Sequence, residues 1–278
     1  MNYISTKDTE KGNPIQLAYQ DYGEGQPIVF IHGWPLSQKM WEHQIPFFVN
    51  KGFRVITYDR RGFGQSDQPW NGYNYNQMAS DLNEVILQLD LKKVILVGFS
   101  MGGGEVARYL GNYGSERIHK AVFMSSIAPF MLETEDNSNA VDGSVFEGIK
   151  EGISHDRADF FSGFGRNFVN IEKHKDRVSE AQVQWNWNIA LSASRKATLD
   201  CVDAFGKTDL RKDCEGITIP TLILHGDDDA IVPFEVSGKK AHQLINNSEL
   251  KLIEGAPHGL TFTHHQEVNQ SLLDFINA

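Results

Sequence analysis

Short runs of β-branched and large apolar residues alternate with longer amphipathic stretches along most of this chain. The runs at 27–31, 53–58, 94–97, 120–124, 221–224 and 250–253 are short, rich in Val, Ile, Leu and Phe, and bounded by turn residues. They predict buried parallel strands. Between them the spacing predicts helices near 40–50, 76–90, 100–112, 234–246 and 264–277. In the second of these, Met78, Leu82, Val85, Ile86 and Leu89 fall on one face. Strands and helices in alternation imply a mostly parallel sheet covered by helices on both faces. Segments 2–5 and 15–20 predict antiparallel strands at one edge, ahead of the first crossover, which brings the α/β sheet to eight strands.

The rhythm breaks across 127–220, where no convincing strand is visible. Helices are predicted near 144–153, 156–169, 178–190 and 194–206, and the stretch carries Phe146, Phe160, Phe161, Phe164, Phe168, Trp185 and Trp187. A helical cap over the carboxyl edge of the sheet accounts for them, because ligands of open α/β sheets bind at that edge. The expected division is a core from 1–128, a helical cap from 129–215 and the rest of the core from 216–278. Most of the aromatics should be cap core. Phe146, Phe160, Phe164 and Ile231 are the candidates to line a substrate pocket.

Composition narrows the function classes. Of 278 residues, 40% are hydrophobic and 22% charged, as in an ordinary globular protein. A formal charge of -10, with no Lys/Arg cluster longer than a pair, offers no surface to a polyanion, so no nucleic-acid partner is expected. No apolar run is long enough to span a bilayer. The first residues lack the charged start and apolar segment of a signal peptide, so a cytoplasmic location is expected. Cys201 and Cys214 lie outside any Cys-x-x-Cys spacing and read as structural thiols. The glycine-rich segment 59–67 has neither a Gly-x-Gly-x-x-Gly pattern nor a P-loop lysine, and no His-Glu-x-x-His occurs. Neither cofactor nor metal is expected.

The chemistry centres on Gly98-Phe-Ser-Met-Gly102, directly after the apolar run at 94–97. A serine at a sharp strand-to-helix turn needs small neighbours, because a side chain at Gly98 or Gly102 would meet the adjacent strand or helix. Ser100 is then the candidate nucleophile. It requires a base to remove its proton and an acid to orient that base. His258 alone among the ten histidines sits on a Gly/Pro turn after a terminal strand. The acid should lie after the strand at 221–224, where Asp227, Asp228 and Asp229 are consecutive. Asp229 is preferred because it is closest to Val232-Pro233, taken as the start of the next helix; Asp228 is the alternative. Backbone N–H groups of Met101, after the nucleophile, and of Trp34, in His32-Gly-Trp-Pro35, are the candidate oxyanion donors. His32 itself reads as structural. Pro35 pushes Trp34 toward an extended conformation and fixes the direction of its carbonyl.

The ordered set His32-Gly-Trp-Pro35, the Asp59 to Ser66 segment, Gly98-Phe-Ser-Met-Gly102, Asp229-Ala-Ile-Val-Pro233 and Gly255-Ala-Pro-His-Gly259 resembles the cofactor-free, non-haem haloperoxidases. This bacterial branch of the α/β-hydrolase fold includes aryl esterases and perhydrolases, and the likeness extends to the cap phrase at 196–205. It implies a triad of Ser100, Asp229 and His258 and an oxyanion hole of Trp34 and Met101. It also implies ester hydrolysis through an acyl-serine, with hydrogen peroxide replacing water to give a peracid that oxidises halide. Proline after the tryptophan resembles members in which peracid formation is favoured. A homo-oligomer, trimeric or built from trimers, is implied as well. Met131 and the 132–143 loop, rich in Glu, Asp and Asn, match no familiar pattern and leave the acyl size open. Amide (γ-lactam) or C–C bond hydrolysis would use the same triad. A dehalogenase or epoxide hydrolase would need aspartate at position 100, and a small-molecule receptor on this fold would be marked by loss of a triad residue.

Overall fold

Eight strands pair into one sheet in the order β1-β2-β4-β3-β5-β6-β7-β8 in the computed structural model, which describes residues 1–278. They are β1 (Asn2–Glu10), β2 (Asn13–Tyr22), β3 (Pro27–Ile31), β4 (Arg54–Tyr58), β5 (Val94–Phe99), β6 (Ile118–Met124), β7 (Thr221–Gly226) and β8 (Ser248–Ile253). β1 and β2 are antiparallel, as are β2 and β4; every other pairing is parallel. β1, at the edge, and β2, beside it, are longer than expected. Their polar outward positions hide them from an apolar-run criterion, while Ile4, Ile15 and Leu17 point inward.

Alternation of side chains along each strand builds two apolar layers. Val29 and Ile31 of β3 face one layer, with α2 (Tyr75–Gln88), α3 (Met101–Tyr113) and α8 (Gly238–Leu244) packed on it. Ile28 and Phe30 face the other, with α1 (Gln44–Asn50) and α10 (His265–Asn277). Two expected helices start later than the apolar pattern suggests. Pro46 has no N–H to give to a carbonyl one turn earlier, so α1 begins at Gln44, after a separate 3-10 turn at Gln38–Trp41 capped by Ser37. Likewise Phe234–Val236 is a 3-10 turn, and α8 starts only after Ser237, whose hydroxyl donates to the Pro233 carbonyl at 2.8 Å. Val232-Pro233 is therefore a loop and not a helix start.

Between β6 and β7 lie α4 (Gly143–Val169), α5 (Glu180–Ser192), α6 (Arg195–Lys207) and the short α7 (Arg211–Glu215), which the pattern did not foretell. The two helices expected at 144–153 and 156–169 meet at Asp156, which is non-helical (φ −147°, ψ 97°). Its Oδ1 accepts from the N–H groups of Ala158 and Asp159, each at 3.0 Å, and so caps the second half. The polar 132–143 loop folds on Asn137. The Asn137 amide donates to the carbonyls of Phe130 and Leu132, and its Oδ1 accepts from Lys240 at 2.8 Å. No helix is long and apolar enough to cross a membrane.

One buried cation ties the sheet to the C-terminal helix. Lys120 in β6 donates from Nζ to the carbonyls of Phe275 (2.8 Å) and Ile276 (3.2 Å), at the negative end of α10. Lys120→Met keeps the stem and removes the charge, leaving those carbonyls without their donor. Its expected effect is a loss of about 1–3 kcal/mol of unfolding free energy, read from urea midpoints. An unchanged midpoint would mean that solvent already satisfies the end of α10.

Candidate active site

β5 enters α3 through Ser100, whose φ of 54° and ψ of −117° lie outside the regions favoured by residues with a side chain. Neighbouring backbone holds this turn. The Ser100 N–H donates to the Met124 carbonyl at 2.8 Å, and its own carbonyl accepts from Gly103 (3.0 Å) and Ile127 (3.3 Å). The flanking glycines are sterically required: a Cβ on Gly98 would collide with the Gly102 carbonyl, and one on Gly102 with the Ile31 carbonyl at the end of β3.

The loop between β8 and α9 (Leu260–Thr263) brings His258 to this turn. Its Nε2 lies 3.0 Å from Ser100 Oγ, and its Nδ1 lies 2.7 Å from Asp229 Oδ2. The ring is buried against Phe99 and the edge of Phe168. Asp229 Oδ1 accepts from the N–H groups of Ile231 (3.0 Å) and Val232 (2.8 Å). Burial by itself would raise this carboxyl. The His258 charge and hydrogen bonds from His225 and His258 outweigh it and hold Asp229 well below the usual carboxylate range. An ionised Asp229 accepts the Nδ1 proton of His258 and leaves Nε2 as the acceptor for the serine hydroxyl.

Its two acidic neighbours serve elsewhere. Asp228 accepts from Lys173 Nζ at 2.8 Å, and Asp227 accepts from the Gly255 N–H at 2.6 Å. Sequence reasoning missed His225, which is buried in β7 and donates from Nε2 to the Val232 carbonyl at 2.9 Å, with Asp229 Oδ2 at 3.4 Å. It steadies the acid loop from below. A histidine four residues before the acid was the only available signal.

Beside Ser100, the loop after β3 presents Trp34. Its backbone N–H has no acceptor within the protein, and Met101, the first residue of α3, has no partner inside its helix either. The Trp34–Pro35 peptide is cis. The indole is clamped by α4 and α6: Nε1 donates to the Thr198 carbonyl at 3.0 Å, and Phe161 and Phe164 meet the ring edge-on. Beneath the loop, His32 Nε2 accepts from the Arg60 N–H at 3.0 Å, while the Arg60 guanidinium donates to the His32 carbonyl (2.9 Å) and to Glu105 (2.8 Å). Tyr58 donates to the other Glu105 oxygen. Burial and the Arg60 charge keep His32 neutral, its basicity well below that of a free imidazole, which suits the structural role expected of it. The Arg60–Glu105 brace was not legible in the sequence, where 59–67 spoke against a nucleotide site and contributed to the family resemblance but gave Arg60 no partner.

An apolar cavity of ≈ 70 Å³ opens onto Ser100 and His258, and 11 of its 13 lining residues are hydrophobic. Phe146, Phe164 and Ile231 line it as expected. Phe160 does not. It is stacked on Phe164 one helical turn away and packs against Gly152 across the bend in α4, which turns it from the cavity. Met131, Val141, Val145 and Ile149 are also in the wall, so the unfamiliar 131–143 segment contributes to the pocket. Cys201 and Cys214 are unpaired and buried; burial pushes the Cys201 thiol up to about 12 and that of Cys214 higher still. No group of three or more His, Cys, Asp or Glu side chains is arranged to hold a metal ion.

Comparison with known proteins places this geometry in a family. The model of the alpha/beta hydrolase fold matches residues 26–265. A putative non-heme chloroperoxidase of Synechocystis is 49% identical, covering 99% of this chain and 100% of its own. A bifunctional esterase/perhydrolase of Acinetobacter calcoaceticus is 37% identical over the full length of both. Among solved structures, a bromoperoxidase from Bacillus anthracis superposes with a TM-score of 0.96 at 50% identity, covering 100% of this chain and 99% of that one. An esterase from Exiguobacterium antarcticum reaches 0.92 at 33% identity, covering 99% of each. The chain belongs to the α/β-hydrolase family, on the branch that holds the non-haem haloperoxidases and the esterase/perhydrolases.

Proposed function

We propose that this protein is a serine esterase that cleaves small carboxylic esters through an acyl-Ser100 intermediate and forms peracids when hydrogen peroxide takes the place of water. The observation that carries this reading is the hydrogen-bonded line Ser100–His258–Asp229 at the mouth of an apolar cavity. Relatives named as chloroperoxidases and as an esterase/perhydrolase support it and do not favour amide or C–C substrates. The helices of 129–215 act in this reading as the cap that shapes the acyl site. The family likeness extends the proposal to a homo-oligomer in solution.

Each step follows from the placement of these groups. His258 Nε2 takes the Ser100 proton as Oγ attacks the ester carbonyl, and Trp34 and Met101 donate their backbone N–H groups to the developing oxyanion. Collapse breaks the C–O bond, and His258 returns the proton to the departing alcohol. Water, or hydrogen peroxide, then gives a proton to His258 and attacks the acyl carbon; the acyl C–O bond to Ser100 breaks as His258 returns that proton to Oγ, and the acid or peracid leaves. A peroxide at this position donates to the Trp34 carbonyl. The peracid oxidises halide after it has left, so no step on the protein needs a redox group.

Ser100→Ala should lower kcat/KM for p-nitrophenyl acetate by about 10⁴ or more with the fold intact. The same variant should abolish the halogenation signal that acetate plus peroxide gives with a dye; a signal that persists without Ser100 would sink the perhydrolase step. The narrow cavity selects short acyl groups. Ile149→Ala is expected to raise the hexanoate-to-acetate ratio of kcat/KM by about 10-fold, the usual worth of space for a methylene or two, and equal changes for both esters would remove Ile149 from the acyl site.

Asp229 also makes a linkage prediction. Its folded-state pKa is depressed, so the stability it contributes is complete above the unfolded value near 3.9 and is lost as pH falls through the lower folded value. Urea midpoints of the wild type should therefore fall between about pH 5 and pH 2 more steeply than those of Asp229→Asn; parallel curves would show that this carboxyl is not held ionised.

A further inference from the structure

β8 closes one end of the sheet with its outer side unpaired. Its inner side is fixed by the parallel ladder to β7: the Thr221 N–H donates to the Asn247 carbonyl (2.9 Å), and the Asp227 N–H to the Ile253 carbonyl (3.3 Å). With Leu222 opposite Glu249 and Leu224 opposite Lys251, this ladder turns the N–H and C=O of Glu249, Lys251 and Ile253 toward β7. Those of Ser248, Leu250 and Leu252 then point outward. Leu250 and Leu252 are 37% and 39% exposed, the largest apolar groups on this edge. On the α10 side the edge is open, because a groove of ≈ 1410 Å³ separates β8 from α10, with Gln270, Ser271 and Asp274 on its far wall.

We propose that β8 is a self-pairing edge that takes β8 of a second copy of this chain across a two-fold axis, antiparallel and centred on Leu250. Three features of the strand converge on that register. First, Leu250 lies opposite the other Leu250, and Ser248 opposite Leu252. Every outward N–H and C=O then meets its counterpart, since antiparallel pairs exchange hydrogen bonds at alternate residues and all three of these face out. Second, the intervening positions, where opposed side chains come closest, bring Glu249 of each copy against Lys251 of the other. Third, the neighbouring registers that preserve the hydrogen bonds fail electrostatically. A shift one way sets Glu249 against Glu249, and a shift the other way sets Lys251 against Lys251. Charges on an edge strand commonly block pairing. Here their order selects one pairing and penalises the alternatives. The result is a sheet continuous through two subunits, with Leu250 and Leu252 covered beside α8. This inference is independent of the reaction assigned to Ser100.

The test is a charge swap followed by native mass spectrometry, with p-nitrophenyl acetate hydrolysis as the control for folding. The wild type should contain the two-fold pair. Glu249→Lys and Lys251→Glu should each weaken it by at least tenfold, by opposing like charges twice per interface. An equimolar mixture of those two variants should associate again as a mixed pair, and the doubly swapped chain should pair with itself. Leu250→Cys supplies a second readout, since opposed residues of such a pair lie within disulfide reach and Cys201 and Cys214 are buried. It should give a disulfide-linked dimer under mild oxidation. Masses unchanged by either single swap, failure of the mixture to associate, or absence of the Leu250→Cys crosslink would each overturn the proposal.

Discussion

The approach of α3 to the end of β3 sets the geometry of everything around Ser100. Gly102 lies so close to the Ile31 carbonyl that no side chain fits between them, and Gly98 is equally close to the Gly102 carbonyl. Only this spacing lets the chain reverse within one residue and hold Ser100 at φ 54°. Such a backbone costs on the order of 1–3 kcal/mol and persists only where its surroundings over-determine it. The parallel ladder of β3, β5 and β6 provides that constraint, by anchoring the Ser100 N–H on Met124 and its carbonyl on Gly103 and Ile127. Ser100 stands at the cavity because the sheet leaves its backbone no alternative.

From that fixed point, the site is assembled by loops that leave the carboxyl ends of β3, β7 and β8, the first two held by buried polar contacts and the third by aromatic packing. Arg60 and Glu105 hold the carbonyl and ring of His32 under the Trp34 loop. His225 holds Val232, whose N–H in turn fixes Asp229. Phe99 and Phe168 set the plane of His258. These braces exclude water as well as fixing direction, and a carboxylate at low effective dielectric keeps its full influence on the imidazole it faces. Removal of the Arg60 guanidinium would leave Glu105 as an uncompensated buried charge, so the brace is more costly to break than its individual hydrogen bonds suggest.

What the sequence disclosed follows from the range of the interactions involved. The interior strands, the Ser100 turn and the His258 turn depend on neighbours within a few positions, and their composition alone marks them. Helix starts depend on single residues: Pro46 and Ser237 shift α1 and α8 from the limits that their apolar positions suggest. The first two strands, β1 and β2, extend beyond their apolar cores because one face of each is solvated. Contacts between distant segments were not legible. Phe160 and Phe164 occupy equivalent positions on one helix, yet only the bend at Asp156 decides that Phe164 faces the cavity and Phe160 faces Gly152. Arg60 with Glu105, and Met131 with Val141, are likewise joined by the fold and not by spacing.

The three consecutive aspartates after β7 explain why the acid could not be settled from pattern alone. Each is committed to a different structural layer. Asp227 accepts from Gly255 and ties the turn after β7 to the turn after β8; Asp228 meets Lys173 and ties it to the segment after α4; Asp229 meets His258. A carboxylate fills all three roles, so residue type cannot rank them. Burial does: Asp227 and Asp228 keep contact with solvent, where an ion pair contributes little, whereas Asp229 is enclosed and is held ionised by its donors. The first two contacts position the loop and the third uses the position. The tie from Asp227 to Gly255 spans the same two strands whose outer edge carries Glu249 and Lys251. The loops that carry Asp229 and His258 therefore leave one pair of neighbouring strands and are tied to each other at their bases.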